Sequence, residues 1–248
     1  MINALRIVRN LLVTDETPTD PESMFVRDEL DQLRRRDDAM RPGANSRERG
    51  QFVGNPMKHL TTRQKLGLLP FLYRNLRALK KSYQGLDHEP QRKTIDESEL
   101  RTLETKASEL GVDTIGYTSI ENDDIFQDRR VLYPHAIVFS IEMDPEIMHT
   151  APSYPALQEV EKTYAKTGRV ANSLTELLRE MGFGAQAGPG LGGHTIYPVL
   201  AGRAGLGEFG RHGLIITPEN GPSHRPGVIY TNITNLPERE DNSHEWVP

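Results

Sequence analysis

The sequence predicts a layered domain of mixed helix and strand, preceded by a polar helical extension. Three observations support this. From Thr94 onward the local signals read helix, strand, strand, helix, strand, helix, strand, strand, an order that suits a sheet flanked by helices better than a regular doubly wound one. The chain has 248 residues, enough for a self-standing core that buries roughly 70% of the unfolded surface. Only 36% of those residues are hydrophobic and 26% are charged, with mean hydropathy −0.58, so part of the chain lies as polar extension.

Residues 1–94 form that extension, an N-terminal helical appendage. Segments 21–40 and 61–84 carry helical spacing, Pro42, Gly43, Gly50, Gly54 and Pro56 separate them, and 87–90 reads as a linker. Between Lys58 and Lys93, nine Lys and Arg face only Asp87 and Glu89, with leucines interleaved. Such a helix either rests on a membrane or an acidic partner, or docks its leucines on its own domain. Thr94 and Glu97 stand at capping-box spacing before a helix over 96–110 that Gly111 closes. Residues 112–120 and 135–143 are short, apolar and β-branched, as buried strands are. A long amphipathic helix spans 155–181, with Gly168 as a point of interruption. A strand (183–187), a glycine loop (188–193), a short helix (195–204), a second glycine loop (205–213) and strands over 214–219 and 227–234 complete the domain, which runs over 95–237. The acidic tail 238–248 reads as frayed.

Thirty basic and thirty-five acidic residues give a net charge of −5, which argues against bulk binding to nucleic acid. The absence of cysteine excludes disulfides, thiolate nucleophiles, and cysteine-ligated zinc or iron–sulfur clusters on these residues. No run approaches a transmembrane span and no signal peptide is read, so the expected location is the cytoplasm. Eight histidines show no HxxxH or HExxH spacing, and no metal site is expected.

Two GxGxxG strings occur, Gly188 to Gly193 and Gly205 to Gly210. Both sit too late in the domain to open a dinucleotide-binding βαβ unit, but clustered glycines let backbone approach a flat or phosphorylated ligand. His194 and His212 lie in or beside these loops, as ligand contacts or as solvated or capping residues. Arg203 and Arg211 bracket the second loop and would either hold an anionic group or pair with Glu208.

The stretch 198–237, PVLAGRAGLGEFGRHGLIITPENGPSHRPGVIYTNITNLP, resembles a segment of reductive dehalogenases and, more distantly, of epoxyqueuosine reductases. In that family a string of the type A-G-L-G-E-x-G-R-x-G-L-x-I-T-P-E-x-G-x-x-x-R precedes a strand ending T-D-L-P. Residues 204–225 match nearly throughout, with Asn232 at the usual aspartate and extra residues before Leu236. AIVFSIEMD (136–144), PSY (152–154) and LLREMGFGA (177–185) follow the family in order and spacing, and MFVRDE near residue 24 is similar to its N-terminal region.

The resemblance implies a nitroreductase-like α+β domain, a mixed sheet with flanking helices, that binds base-off cobalamin. Gly205, Leu206, Gly207, Glu208, Gly210, His212, Gly213 and His194 are the implied cofactor contacts. A tyrosine assisted by a basic residue would deliver a proton to an organohalide; Tyr154 is the implied donor, with Arg203 or Arg211 beside it. Family members continue into a segment whose cysteines hold two [4Fe–4S] clusters. Without cysteines, this chain would need a separate electron-transfer protein or a free reductant. Three readings follow: a dehalogenase-like catalytic domain, a non-catalytic corrinoid-binding or interaction module, or a paralogue keeping the fold without the cofactor.

Overall fold

A computed structural model describes residues 60–126, 129–210 and 213–238. Helix α1 (Thr62–Ser82) starts at Thr61, whose hydroxyl and backbone form a capping box with Gln64. It buries Leu68, Asn75, Ala78 and Ser82, positions that share one helical face. Helix α2 (Glu97–Glu109) is capped by Asp96, with Glu99 closing the box, two residues later than the Thr94 and Glu97 spacing suggests. Asp96 wins because its carboxylate also accepts from the Ser98 hydroxyl at 2.7 Å. Gly111, at φ +78, closes the helix.

Strands β1 (Thr114–Ser119), β2 (His135–Glu142), β3 (Ala185–Ala187) and β6 (His224–Thr231) build a four-stranded sheet in the order β1-β2-β6-β3. Its pairs are all antiparallel, which corrects the mixed sheet expected from sequence; a parallel pairing occurs at the isolated bridge Arg92 to Phe183. The long helix α4 (Tyr154–Glu180) does carry the chain between two parallel strands, β2 and β3. Strand β6, antiparallel to both, lies between them. The short α3 (Pro145–Met148) precedes α4, and α5 (Tyr197–Arg203) leads into a hairpin of β4 (Glu208–Phe209) and β5 (Ile215–Ile216). The strand read over 214–219 shrinks to these two β5 residues because a tight turn, with Thr217 and Gly221 paired backbone to backbone, follows.

Both faces of the sheet are covered, which is why β2 is apolar from Ala136 to Ile141 except at Ser140. Ile137, Phe139 and Ile141 join Ile229 under α2 and α4, against Leu103, Val170, Leu174 and Leu178. Ala136, Val138, Val228 and Tyr230 face α5 with Leu200, Ala201 and Leu206. Gly227 lies opposite Phe139, and a Cβ there would come 2.3 Å from the Phe139 ring, so glycine makes room for the aromatic core.

Gly168 does not interrupt α4. Its bare face admits Ala78 of α1 on one side and Gly190 of the first glycine loop on another, at 3.0 and 3.5 Å from an added Cβ. Helix α1 is tied to α4 by polar contacts: Asn75 Nδ2 donates to Glu161 Oε2 at 3.1 Å, and Asn172 Nδ2 donates to the Ala78 carbonyl at 2.9 Å. Two of the residues between Asn232 and Leu236 also bind the chain: the Thr234 N–H donates to Lys93, and Asn235 pairs with both backbone groups of Ile95. Asn232 accepts from the Gly184 N–H at 2.8 Å and donates to the Arg92 carbonyl at 2.9 Å; an ionised aspartate could make only the first bond. The helix expected over 21–40 and the tail beyond 238 lie outside the described residues. No helix among the described residues is long and apolar enough to cross a membrane.

Candidate functional site

A cleft of about 690 Å³ opens where the two glycine-rich loops meet. Its walls come from Gly190 to Gly193, the start of α5, the β4–β5 hairpin, the first residues of β6, and Met143, Met148 and Tyr164. The first loop lies flat because its glycines face protein: a Cβ on Gly190 would sit 2.5 Å from the Tyr164 carbonyl oxygen, and one on Gly193 would strike the Tyr197 ring at 2.7 Å. Tyr197 holds the loop from below, its hydroxyl donating to the Pro189 carbonyl at 2.9 Å. Leu191, Phe209 and Leu214 line the cleft yet remain 40%, 46% and 48% exposed, so its mouth presents apolar side chains to solvent. A concentration of this kind around a concavity marks a binding site.

Two polar residues stand in the cleft wall together. The Arg225 guanidinium lies over the Tyr164 ring, 4.5 Å from its centroid, and both residues line the cavity. The Arg225 Nε is buried and donates to no partner among the described residues. Glu161, one turn before Tyr164 on α4, feels the Arg225 charge; burial nevertheless pushes its carboxyl above the usual carboxylate range, against the Asn75 hydrogen bond and Arg225, which lower it. His224 also lines the cleft. Its Nδ1 donates to the Gly221 carbonyl at 3.1 Å and burial holds its pKa down, so the ring is neutral with Nε2 as an acceptor.

The residues singled out from sequence distribute unevenly about this cleft. Gly213, at φ +76 with open space around it, lines the cavity. Gly205, at φ +78, ends α5, and Leu206 is core, its N–H donating back to Ala201. Gly207 has its own packing reason: a Cβ would lie 2.3 Å from the Ile216 carbonyl oxygen. Glu208 pairs with Ile216 in the hairpin, and the Gly210 N–H donates to Leu214 across its tip. His194 is 1% exposed, edge-on to Tyr83 and Tyr230. Burial, and then the Arg129 charge, hold its pKa down to about 3, so it packs as a neutral ring away from the cleft lining. Arg211 and His212 lie outside the described residues.

Tyr154 and Arg203 are not brought together, and neither lines the cleft. The Tyr154 hydroxyl donates to the Gln64 carbonyl of α1 at 2.8 Å. Arg203 grips Asp124 with two bonds of 2.7 and 3.1 Å and donates to the Ser119 carbonyl, so its ion pair is with Asp124, not Glu208. Tyr154→Phe should therefore cost about 1 kcal/mol of stability through one lost hydrogen bond. Thermal unfolding would show that loss while any activity stays unchanged; a large rate loss would place Tyr154 in the chemistry instead. Sequence reasoning missed Tyr164. Arg225, its partner, is the final arginine of the matched string, and it was the signal available. Among the described residues no group of histidines and carboxylates is arranged to hold a metal.

No protein-family model matches the chain. The tetrachloroethene reductive dehalogenase of Desulfitobacterium hafniense is 35% identical over 130 residues, covering 52% of this chain and 23% of that protein. The chain thus spans about a quarter of the length of the curated relatives it matches. A solved reductive dehalogenase, whose structure suggests a mechanism for B12-dependent dehalogenation, matches at TM-score 0.62 and 18% identity over 96% of this chain and 37% of that one. A catabolic reductive dehalogenase in complex with 3-bromo-4-hydroxybenzoic acid matches at TM-score 0.55 and 18% identity over 71% of this chain and 27% of that one. The likeness to reductive dehalogenases read from residues 95–237 thus recurs in sequence, and the fold is shared with these structures.

Proposed function

We propose that this chain forms the corrinoid-binding part of a reductive dehalogenase, replacing a halogen on an organic substrate by hydrogen with electrons from a separate donor. The observation that carries this reading is the Arg225 guanidinium over Tyr164 inside a cleft walled by both glycine-rich loops. The balanced change is R–X + 2e⁻ + H⁺ → R–H + X⁻. With no cysteine among the 248 residues, these residues cannot hold a thiolate-ligated cluster, so the electrons come from outside them.

The cleft residues fit a large, flat, amphipathic cofactor. Gly213 has open space about it, the rim leucines and Phe209 offer apolar contact, and the buried Arg225 Nε is a donor awaiting an acceptor. Leu191, Phe209, Leu214 and the backbone of Gly190 to Gly193 would hold cobalamin there. When bound, the corrinoid supplies the low-potential metal centre at which the carbon–halogen bond is reduced. Tyr164 takes the proton-donor role first read onto Tyr154. Its hydroxyl gives the proton that ends on carbon, and the fixed Arg225 charge stabilises the phenolate left behind. Leu191, Phe209 and Leu214 exclude water from the exchange, which strengthens that stabilisation.

The relatives act on or bind a chlorinated alkene and a brominated phenol, and both classes serve as probes. Protein loaded with cobalamin and reduced by titanium(III) citrate should release halide faster than the same amount of free cobalamin, and should release none without the donor. Halide release no faster than free cobalamin, at full corrinoid occupancy, would favour the non-catalytic binding module.

A further inference from the structure

A second concavity, sharing no lining residue with the cleft, runs between α1, the C-terminal end of α2 and α4. It measures about 740 Å³, and Arg74, Arg77, Lys81, Lys166 and Arg169 line it with Tyr73; no carboxylate is among its lining residues. Lys81 is paired with Glu176 at 2.8 Å, and Lys166 donates to the Gly111 carbonyl at 2.9 Å. Arg74, Arg77 and Arg169 are exposed and have no ion-pair partner among the described residues. Helix α1 as a whole carries six cations and no acid. Leu66, Leu69 and Tyr73 form an i, i+3, i+7 stripe along it, 59%, 43% and 66% exposed, that leads into the groove.

Nothing in the cleft chemistry needs this surface. Unopposed arginines beside an exposed tyrosine and leucines are the composition of a protein interface, where guanidinium groups take carboxylates bidentately and the aromatic anchors the contact. The shape decides between partners. A bilayer surface is flat and would touch the rim without filling a groove, whereas a protruding acidic segment reaches its floor. We propose that the α1–α4 groove is the docking site for an acidic, partly apolar segment of a partner protein.

The test uses the full chain and a fluorescein-labelled peptide of glutamate and leucine, read by anisotropy. Saturable binding that weakens as salt rises is expected, with an Arg77→Glu/Arg169→Glu double variant losing about tenfold or more in affinity. A control double variant on the exposed face of α2, Arg101→Glu/Lys106→Glu, should bind as wild type does; circular dichroism confirms that both variants are folded. Absence of saturable binding, or equal loss in both variants, would overturn the proposal. So would stronger Arg77- and Arg169-dependent binding to phosphatidylglycerol vesicles or to a single-stranded oligonucleotide than to the peptide. None of these readouts depends on corrinoid or on dehalogenation.

Discussion

Tyr164→Phe is expected to slow halide release by roughly 10²–10⁴, the usual worth of a positioned general acid, while corrinoid affinity stays within a few-fold. The change removes one oxygen and keeps the ring beneath the Arg225 guanidinium, 4.5 Å from its centroid in the native protein, so the cation–π contact and the cleft wall survive. Rate and binding then separate. Arg225→Gln should act in the same direction, since the phenolate loses its stabilising charge, but it also unpins Tyr164 and is the less clean test. Measured under titanium(III) citrate with occupancy checked, equal rates for Tyr164→Phe and wild type would remove the hydroxyl from the mechanism.

The second large effect is on stability. Asp124 has a side chain only 4% exposed, and its carboxylate is held by two bonds from Arg203 and one from the Glu121 N–H. Arg203→Ala leaves that carboxylate buried and uncompensated, a loss of about 3–5 kcal/mol that should lower the midpoint of thermal unfolding by roughly 6–20 °C. Replacing both partners by leucine should recover much of it, because the cost lies in the orphaned charge and not in the missing attraction. If Arg203 instead assisted catalysis, Arg203→Ala would lower the rate with little change in melting. Differential scanning calorimetry beside the halide assay separates these outcomes.

The elements that organise this molecule were legible where burial is extreme. Strand β2 is apolar on both faces and α4 is amphipathic over 27 residues, so local pattern and tertiary demand agree. The N-terminus of α2 was misplaced by two residues because Thr94/Glu97 and Asp96/Glu99 both satisfy capping-box spacing, and only the local turn chooses between them. The glycine strings were recognisable, but their purpose was not. Gly190, Gly193 and Gly207 yield space to Tyr164, Tyr197 and Ile216, contacts made across the fold that spacing along the chain does not encode.

The proton donor shows the same limit. Tyr154 and Tyr164 lie ten residues apart on α4, about 80° around its axis and about 15 Å along it, so the two rings meet different surroundings. Which face looks into the cleft depends on where α1 docks, and α1 covers Tyr154 through Gln64 and Gly67. Arg225 was already marked by the matched string, but its nearness to Tyr164 appears only once β6 is laid beside α4.

Corrinoid occupancy of the cleft is the property on which the assignment rests. Anaerobic mixing of the purified chain with cob(II)alamin, followed by gel filtration, should yield one corrinoid per chain with the spectrum of the bound, base-off form. Leu191→Asp/Leu214→Asp, which places charge at the apolar mouth while leaving the core alone, should abolish retention in a folded protein. Elution of the chain free of corrinoid, or retention undiminished in the double variant, would contradict the assignment of this cleft as the cofactor site.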